Sequence, residues 1–266
     1  MTSPQDWYTD AAEHYEHGRL PYPSTLESLV EAAVGRGGRL LDLGCGPGTV
    51  GLRLAGMYDE LVGVDRDPGM VEHARSRAAT TRLESARFVH ASAEDIPADL
   101  GTFRVITVAQ AFHWFDGPRA AEEIARLLEP GGHCAVLYAW SLRGDAAPDI
   151  ALPTPPYAAM DALCERLVGA GGGTPRTAPD DESGPMTAAG LIGPDAWEVP
   201  GGEVIVSSAG ELMARWLSRS DAAELRTGQR RAEYTAAAQK ILGAASGAGF
   251  AERLRDARFN VWTKPS

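Results

Sequence analysis

Leu40-Leu41-Asp42-Leu43-Gly44-Cys45-Gly46-Pro47-Gly48 reads as an apolar strand that carries a carboxylate near its end and then breaks into a glycine-rich turn opening a helix. Glycines let the backbone come within contact distance of a bound molecule, which a Cβ would prevent. About twenty residues past the turn, Leu61-Val62-Gly63-Val64-Asp65 is a second buried-strand pattern, closing on an acid. A carboxylate placed there can hold both hydroxyls of a ribose. Gly46-Pro47-Gly48-Thr49-Val50-Gly51 also satisfies G-x-G-x-x-G, the pattern for dinucleotides. Phosphate binding, however, uses free backbone N–H groups at the helix N-terminus, and Pro47 removes one of them.

Working outward, strands and helices alternate from Ser24 to about Asp145, the pattern of a parallel sheet covered on both faces. Ser24-x-x-Glu27 is a capping-box pattern ahead of a helix with Leu26, Leu29, Val30, Ala33 and Val34 on one side. Strands are expected at Arg39–Leu43, Leu61–Asp65, Arg87–His90, Phe103–Ala109 and His133–Trp140. Asp67-Pro68 supplies a cap and a first-turn proline for the helix carrying Met70, Val71 and Ala74. Residues 144–203 are rich in proline and include Gly171-Gly172-Gly173. One amphipathic helix is legible there, with Tyr157, Met160, Leu163, Cys164, Leu167 and Val168 on one side. That helix favours a cap over a bare linker. Ser208-x-x-Glu211 caps another helix, an alanine-rich helix runs from Asp221 to about Gly243, and Arg258–Lys264 alternates as a terminal strand.

The chain has 266 residues and a formal net charge of −11. Such a charge argues against nucleic acid, whose phosphates demand a basic surface. Arg226, Arg230 and Arg231 lie on a helical stretch full of alanine and glutamate and read as a solvated face. Cys45, Cys134 and Cys164 are far apart and in no metal-ligand spacing, so no metal is expected. The first residues are polar and acidic, with no apolar run of signal or membrane length. The expectation is a soluble cytoplasmic protein without membrane partners, monomer or homodimer.

The turn at 40–48 and the acid at Asp65 resemble the first motifs of the class I S-adenosylmethionine (SAM) dependent methyltransferases. Glu129-Pro130-Gly131-Gly132 before the fifth strand is also typical of them, and the resemblance covers residues 1–145 well and 204–264 loosely. It implies an α/β fold: a doubly wound, seven-stranded, mainly parallel Rossmann-like sheet with an antiparallel last strand. It also implies an organisation into an N-terminal helical lid (1–23), a SAM-binding core (24–145), an inserted substrate cap (146–203) and C-terminal helices with the last strand (204–266).

SAM carries an ammonium and a sulfonium but no phosphate, so its site needs acceptors such as Asp42. The resemblance implies that Asp42, Gly44, Cys45 and Gly46 hold the methionine part and that Asp65, with Arg66 beside it, holds the ribose. Met70 is placed to pack on the adenine or, equally, to be an ordinary core methionine. Ala91-Ser92-Ala93-Glu94-Asp95 resembles the family's adenine loop, with Ser92 where aspartate is commonest. Either the Ser92 hydroxyl or Glu94 would meet the adenine amino group, and Ala93 would act through its N–H.

Gln110-Ala111-Phe112-His113-Trp114-Phe115 resembles the small-molecule branch related to the trans-aconitate methyltransferases, as does Ser218-Arg219-Ser220. Gln110 would then face the methionine, while His113 and Trp114 face the acceptor. Histidine suits proton removal near neutrality; equally, His113 could only bond within a packed loop. Ahead of the sheet, Trp7, Tyr8, Tyr15, Arg19 and Tyr22 form an aromatic arm, in which Tyr15-x-x-x-Arg19-Leu20-Pro21-Tyr22-Pro23 resembles the family's lid. Arg19 would pair with the SAM carboxylate, with Tyr15 beside it. Trp7, Tyr8, Tyr22, Trp114 and Trp140 would line the acceptor pocket. The expected function is methyl transfer to an oxygen or carbon nucleophile of a small molecule, in a bacterial secondary-metabolism setting that the alanine, glycine and arginine usage suits. An NAD(P)-dependent oxidoreductase and a SAM-binding homologue without turnover are the alternatives.

Overall fold

The structure, a computed structural model, describes residues 10–169 and 182–266. The chain divides into two compact units, each assembled from separate stretches of sequence. The sheet unit comprises Ser24–Ala139, Pro175–Val199 and Ala257–Ser266; the helical unit comprises Met1–Pro23, Trp140–Thr174 and Pro200–Asp256. Among the described residues, no helix is long and apolar enough to cross a membrane. No group of metal-ligating side chains among them could hold an ion.

In the sheet unit the strands are β1 (Arg39–Leu43), β2 (Glu60–Asp65), β3 (Ala86–His90), β4 (Phe103–Ala109), β5 (Leu128–Tyr138), β7 (Ile192–Val199) and β10 (Ala257–Thr263). Its helices are α2 (Leu26–Val34), α3 (Gly51–Leu54), α4 (Pro68–Thr80), α5 (Gly117–Leu127) and α7 (Ser183–Ala188). The sheet order is β3-β2-β1-β4-β5-β10-β7, with β1 to β5 parallel and β10 antiparallel to both its neighbours. The expected doubly wound, mainly parallel architecture is therefore present. Strand order reverses between β1 and β4, the switch point at whose carboxyl ends ligands bind in such sheets. The near-continuous apolar runs follow from burial on both faces: Leu40, Leu41, Val62, Val64, Val105, Ile106 and Val108 are all enclosed.

Local signals were met unevenly. Asp67 caps α4 by accepting from the N–H groups of Gly69 (2.8 Å) and Met70 (3.0 Å), with Pro68 in the first turn. The Ser208–Glu211 capping box is formed in full. The Ser24–Glu27 box is not: α2 starts one residue later, from Thr25, because the Glu27 carboxylate is drawn across to the Arg53 guanidinium. Glu129–Gly132 loops out of β5, so that Phe103 pairs with Leu128 while Val105 already pairs with His133.

β7 falls inside the stretch read from sequence as a cap. It is the outer strand of the sheet, and α7 precedes it in the same unit. Gly193 and Pro194 hid it, since both residues break strand patterns; an edge strand tolerates a proline because one side has no ladder to complete. Trp197 on β7 stacks on Phe259 of β10, ring centroids 5.9 Å apart and planes 7° from parallel.

The helical unit holds α1 (Ala12–Gly18), β6 (Asp145–Ala146), α6 (Tyr157–Val168), β8 (Val204–Ser207), α8 (Ala209–Leu217), α9 (Gly228–Ala245) and β9 (Phe250–Arg253). The three strands form a separate antiparallel sheet, β6-β9-β8. Met160, Leu163, Trp216, Leu225, Tyr234, Leu242 and Phe250 make its core. Arg226 corrects the solvated-face reading: it is buried and donates to the carbonyls of Leu217 (2.8 Å) and Arg219 (2.5 Å). Those are the last carbonyls around the end of α8, a place where a cation is favoured.

The arm is packed against α8. A Cβ on Gly18 would stand 2.2 Å from the Arg215 backbone nitrogen, so only glycine permits the crossing. Arg215 is 2% exposed and donates from Nε to the Gly18 carbonyl (2.8 Å), from Nη2 to Ser207 Oγ (3.0 Å) and from Nη1 to Glu252 (2.5 Å). Glu252, fully buried, also accepts from the Gly144 N–H (2.6 Å) and from the Tyr157 hydroxyl.

Candidate active site

The glycine turn is held from below. The Asp42 side chain, 1% exposed, accepts from the Gly51 N–H (2.9 Å) at the start of α3 and from Thr107 Oγ1 (2.8 Å) on β4. Both oxygens bond inward, and the side chain positions the turn. Thr107, unremarked in sequence, is its partner across the β1–β4 pair. Burial pushes the Asp42 carboxyl up to about 6, against the opposing pull of its two donors. The folded state therefore keeps a proton that the unfolded chain, with an ordinary value near ~3.9, has released. Stability should fall by about 3 kcal/mol as pH rises from ~4 to ~6. In Asp42→Asn the amide NH₂ can donate to Thr107, whose hydroxyl turns to the Leu41 carbonyl at 3.5 Å. That variant should fold and lose this slope; urea titrations at several pH values check it, and an unchanged slope assigns it elsewhere.

Each available amide from Gly44 to Gly48 is taken within the protein. Gly44 and Cys45 donate to the Val64 carbonyl (2.8 and 3.0 Å), Gly46 to Asp65 Oδ2 (2.8 Å) and Gly48 to the Cys45 carbonyl (2.9 Å); Pro47 has none. The turn thus offers no nest of N–H groups to a phosphate. A Cβ on Gly44 would meet Ala111 at 2.5 Å, so the turns after β1 and β4 touch at the switch point. Gly46, at φ 52°, faces open space where a Cβ would stand. Cys45 is buried, and desolvation raises its thiol well above the ordinary range, so it packs rather than reacts.

Asp65 ends β2 half-buried, its other oxygen accepting from the Asp67 N–H (2.8 Å). Arg66 is exposed, and its carbonyl accepts from His90 Nε2 at 2.9 Å. Met70 is buried on α4, 3% exposed. After β3, the Ser92 hydroxyl donates to Glu94, Glu94 accepts from the Asp116 N–H (2.8 Å), and Ala93 is buried.

Gln110 directly follows β4 with φ 55°, a conformation a non-glycine residue adopts at a cost. Its N–H donates to the Leu137 carbonyl (3.0 Å) and its side-chain NH₂ to that of Ala139, fastening β4 to β5. His113 lies on the 3-10 turn Phe112–Trp114, its ring 4.9 Å from that of Trp114. Among the described residues nothing hydrogen-bonds its ring, and burial lowers its pKa, so the imidazole is neutral near pH 7. Trp114 and Tyr138 pack on one core, and Tyr138 donates to the fully buried Glu182 (2.5 Å), a pairing 44 residues apart that no sequence pattern signals.

The helical unit holds the remaining candidates. Arg19 donates to Ser218 Oγ (2.8 Å), the Ser218 carbonyl (2.9 Å) and Ser141 Oγ (3.0 Å), and its guanidinium lies 4.6 Å from the Tyr15 ring centre. The arm and the Ser218-Arg219-Ser220 element thus meet. Tyr22 is buried; Trp140 is 60% exposed beneath the Arg255 guanidinium. Trp7 and Tyr8 lie outside the described residues.

Residues 40–132 match the family model described as a methyltransferase domain. Over that stretch the chain is similar to a methyltransferase domain. It is 35% identical to an uncharacterized methyltransferase of Mycobacterium tuberculosis over 139 residues, 52% of this chain and 53% of that protein. The chain thus spans about half the length of the curated relatives it matches. The crystal structure of YcgJ from Bacillus subtilis has the same fold, with a TM-score of 0.53 at 20% identity over 90% of this chain and 97% of that one. So does a Haemonchus contortus N-methyltransferase solved with S-adenosylhomocysteine (TM-score 0.55, 16% identity, 100% and 61% covered). The matched stretch contains β1 to β4 and the turns described above.

Proposed function

We propose that this protein transfers the methyl group of SAM to an oxygen or carbon nucleophile of a small molecule. The observation that carries the cofactor assignment is the consumed set of turn amides, beside a glycine that leaves room for a ligand. A dinucleotide needs those amides for phosphate; SAM does not. Bound SAM would supply an electrophilic methyl on a sulfonium. The backbone of Gly44–Gly46 would border its methionine part, Gln110 Oε1 would accept from its ammonium, and Asp65 would take the ribose hydroxyls. His113, neutral and unbonded, would remove the acceptor's proton or orient it, with Trp114 and Tyr138 as an apolar wall. Alignment and exclusion of water do the rest. A place in bacterial secondary metabolism belongs to this reading.

S-adenosylhomocysteine should raise the melting temperature and NADP should not, since a ligand of the native state stabilises it. A rise with NADP alone would reverse the assignment. Asp65→Ala should weaken S-adenosylhomocysteine about tenfold to a hundredfold, for the loss of charge-assisted hydrogen bonds. Unchanged affinity by calorimetry in a folded variant would remove Asp65 from the site.

A further inference from the structure

In the helical unit, His14 on α1 meets Arg231 on α9: Arg231 Nη1 donates to His14 Nε2 at 3.1 Å, across 217 residues of sequence. Arginine carries donors only, so Nε2 must present its lone pair and the ring must be neutral, with its proton on Nδ1. A proton on Nε2 would end the bond and set an imidazolium against a guanidinium. Most of the surrounding charge worsens that contact. Arg231 has no carboxylate partner among the described residues. Arg226, just ahead of α9, and His17 on α1 add positive field at the ring, and Glu13 on α1 opposes them. α8, the other helix against the arm, brings Arg215, whose charge is already matched by Glu252. Burial of the ring and the Arg231 charge hold the His14 pKa below its ordinary value.

We infer that His14 is a proton-operated latch: neutral, it fastens α1 to α9, and protonated, it lets α1 go. The sign follows from proton counting. The fastened arm excludes a proton that the released arm accepts near the ordinary imidazole value of ~6.5, so the hold is full above that pH and weakens below it. Release is confined to the N-terminal part of α1, because Gly18 stays seated against α8, where Arg215 donates to its carbonyl at 2.8 Å. The latch stands apart from the SAM reading, since it concerns only how the arm is held.

The test reads amide hydrogen exchange at residues 15–17 in the full chain, as protection relative to the unstructured-peptide rate at each pH. In the wild type, protection there should fall about tenfold to thirtyfold between about pH 7.5 and 5, while that of residues 212–216 on α8 holds. His14→Gln keeps an acceptor oxygen for Arg231 and cannot titrate, so its protection should be the same at both pH values. His17 is still present in that variant, which isolates the effect to His14. His14→Lys places a permanent cation beside Arg231 and should show the low protection already at the higher pH, with α8 as the check that the unit is folded. Three results would each overturn the latch: wild-type protection that does not change with pH, a His14→Gln variant that loses protection as the wild type does, or a folded His14→Lys variant that keeps the wild-type value at the higher pH.

Discussion

Arg215→Ala should destabilise the helical unit by about 3–5 kcal/mol, the usual cost of stripping one partner from a buried ion pair. Removing the guanidinium leaves Glu252 charged and fully buried, with only the Gly144 N–H and the Tyr157 hydroxyl for company. It also orphans the Gly18 carbonyl and with it the fastening of the arm to α8. Chemical denaturation read by tryptophan fluorescence measures the loss, since Trp216 lies in that core. The double change Arg215→Met with Glu252→Leu should recover most of it, because the penalty belongs to the unpaired charge rather than to the missing bridge. A single variant as stable as the wild type would mean that water reaches this cluster.

Loss of the His113 imidazole should cut turnover about 10²- to 10⁴-fold if it is the general base. His113→Ala should meanwhile leave S-adenosylhomocysteine affinity nearly intact, since the proposed cofactor contacts fall to other residues. The pH profile separates base from anchor. Burial holds the His113 pKa below its ordinary value. A base must be neutral, so the wild-type rate should climb with pH through a value below the ordinary imidazole range and then level off. An anchor donating to an ionised carboxylate acceptor as an imidazolium would show the opposite trend. Full activity of the alanine variant would dismiss both roles.

Much of the sheet unit was legible because its signals are local. Five strands announced themselves as apolar runs, and Asp67-Pro68 and Ser208-x-x-Glu211 encode their caps within a single turn. What escaped was non-local or self-contradictory. Glu27 had a nearby role in the capping box and a remote partner in Arg53, and the guanidinium won. The bond that Asp42 accepts from Thr107, 65 residues on, has no local signal in the sequence. The bond that Glu94 accepts from the Asp116 N–H spans 22 residues and likewise has no local signal. β7 carries glycine and proline, so a strand that is specified by its neighbour reads alone as a loop.

The place of β10 between β5 and β7 has a consequence for synthesis. Chain order and spatial order disagree: β7 leaves the ribosome before the strand that joins it to the sheet. In that interval β5 offers a bare edge of unsatisfied amides and carbonyls, and β7 has nothing to pair with. Such edges are what chaperones cover and aggregates recruit. Recovery of native protein should therefore depend on how quickly Ala257–Thr263 arrives, and a codon-level slowdown just upstream of Ala257 would lengthen the exposed interval without altering a single residue.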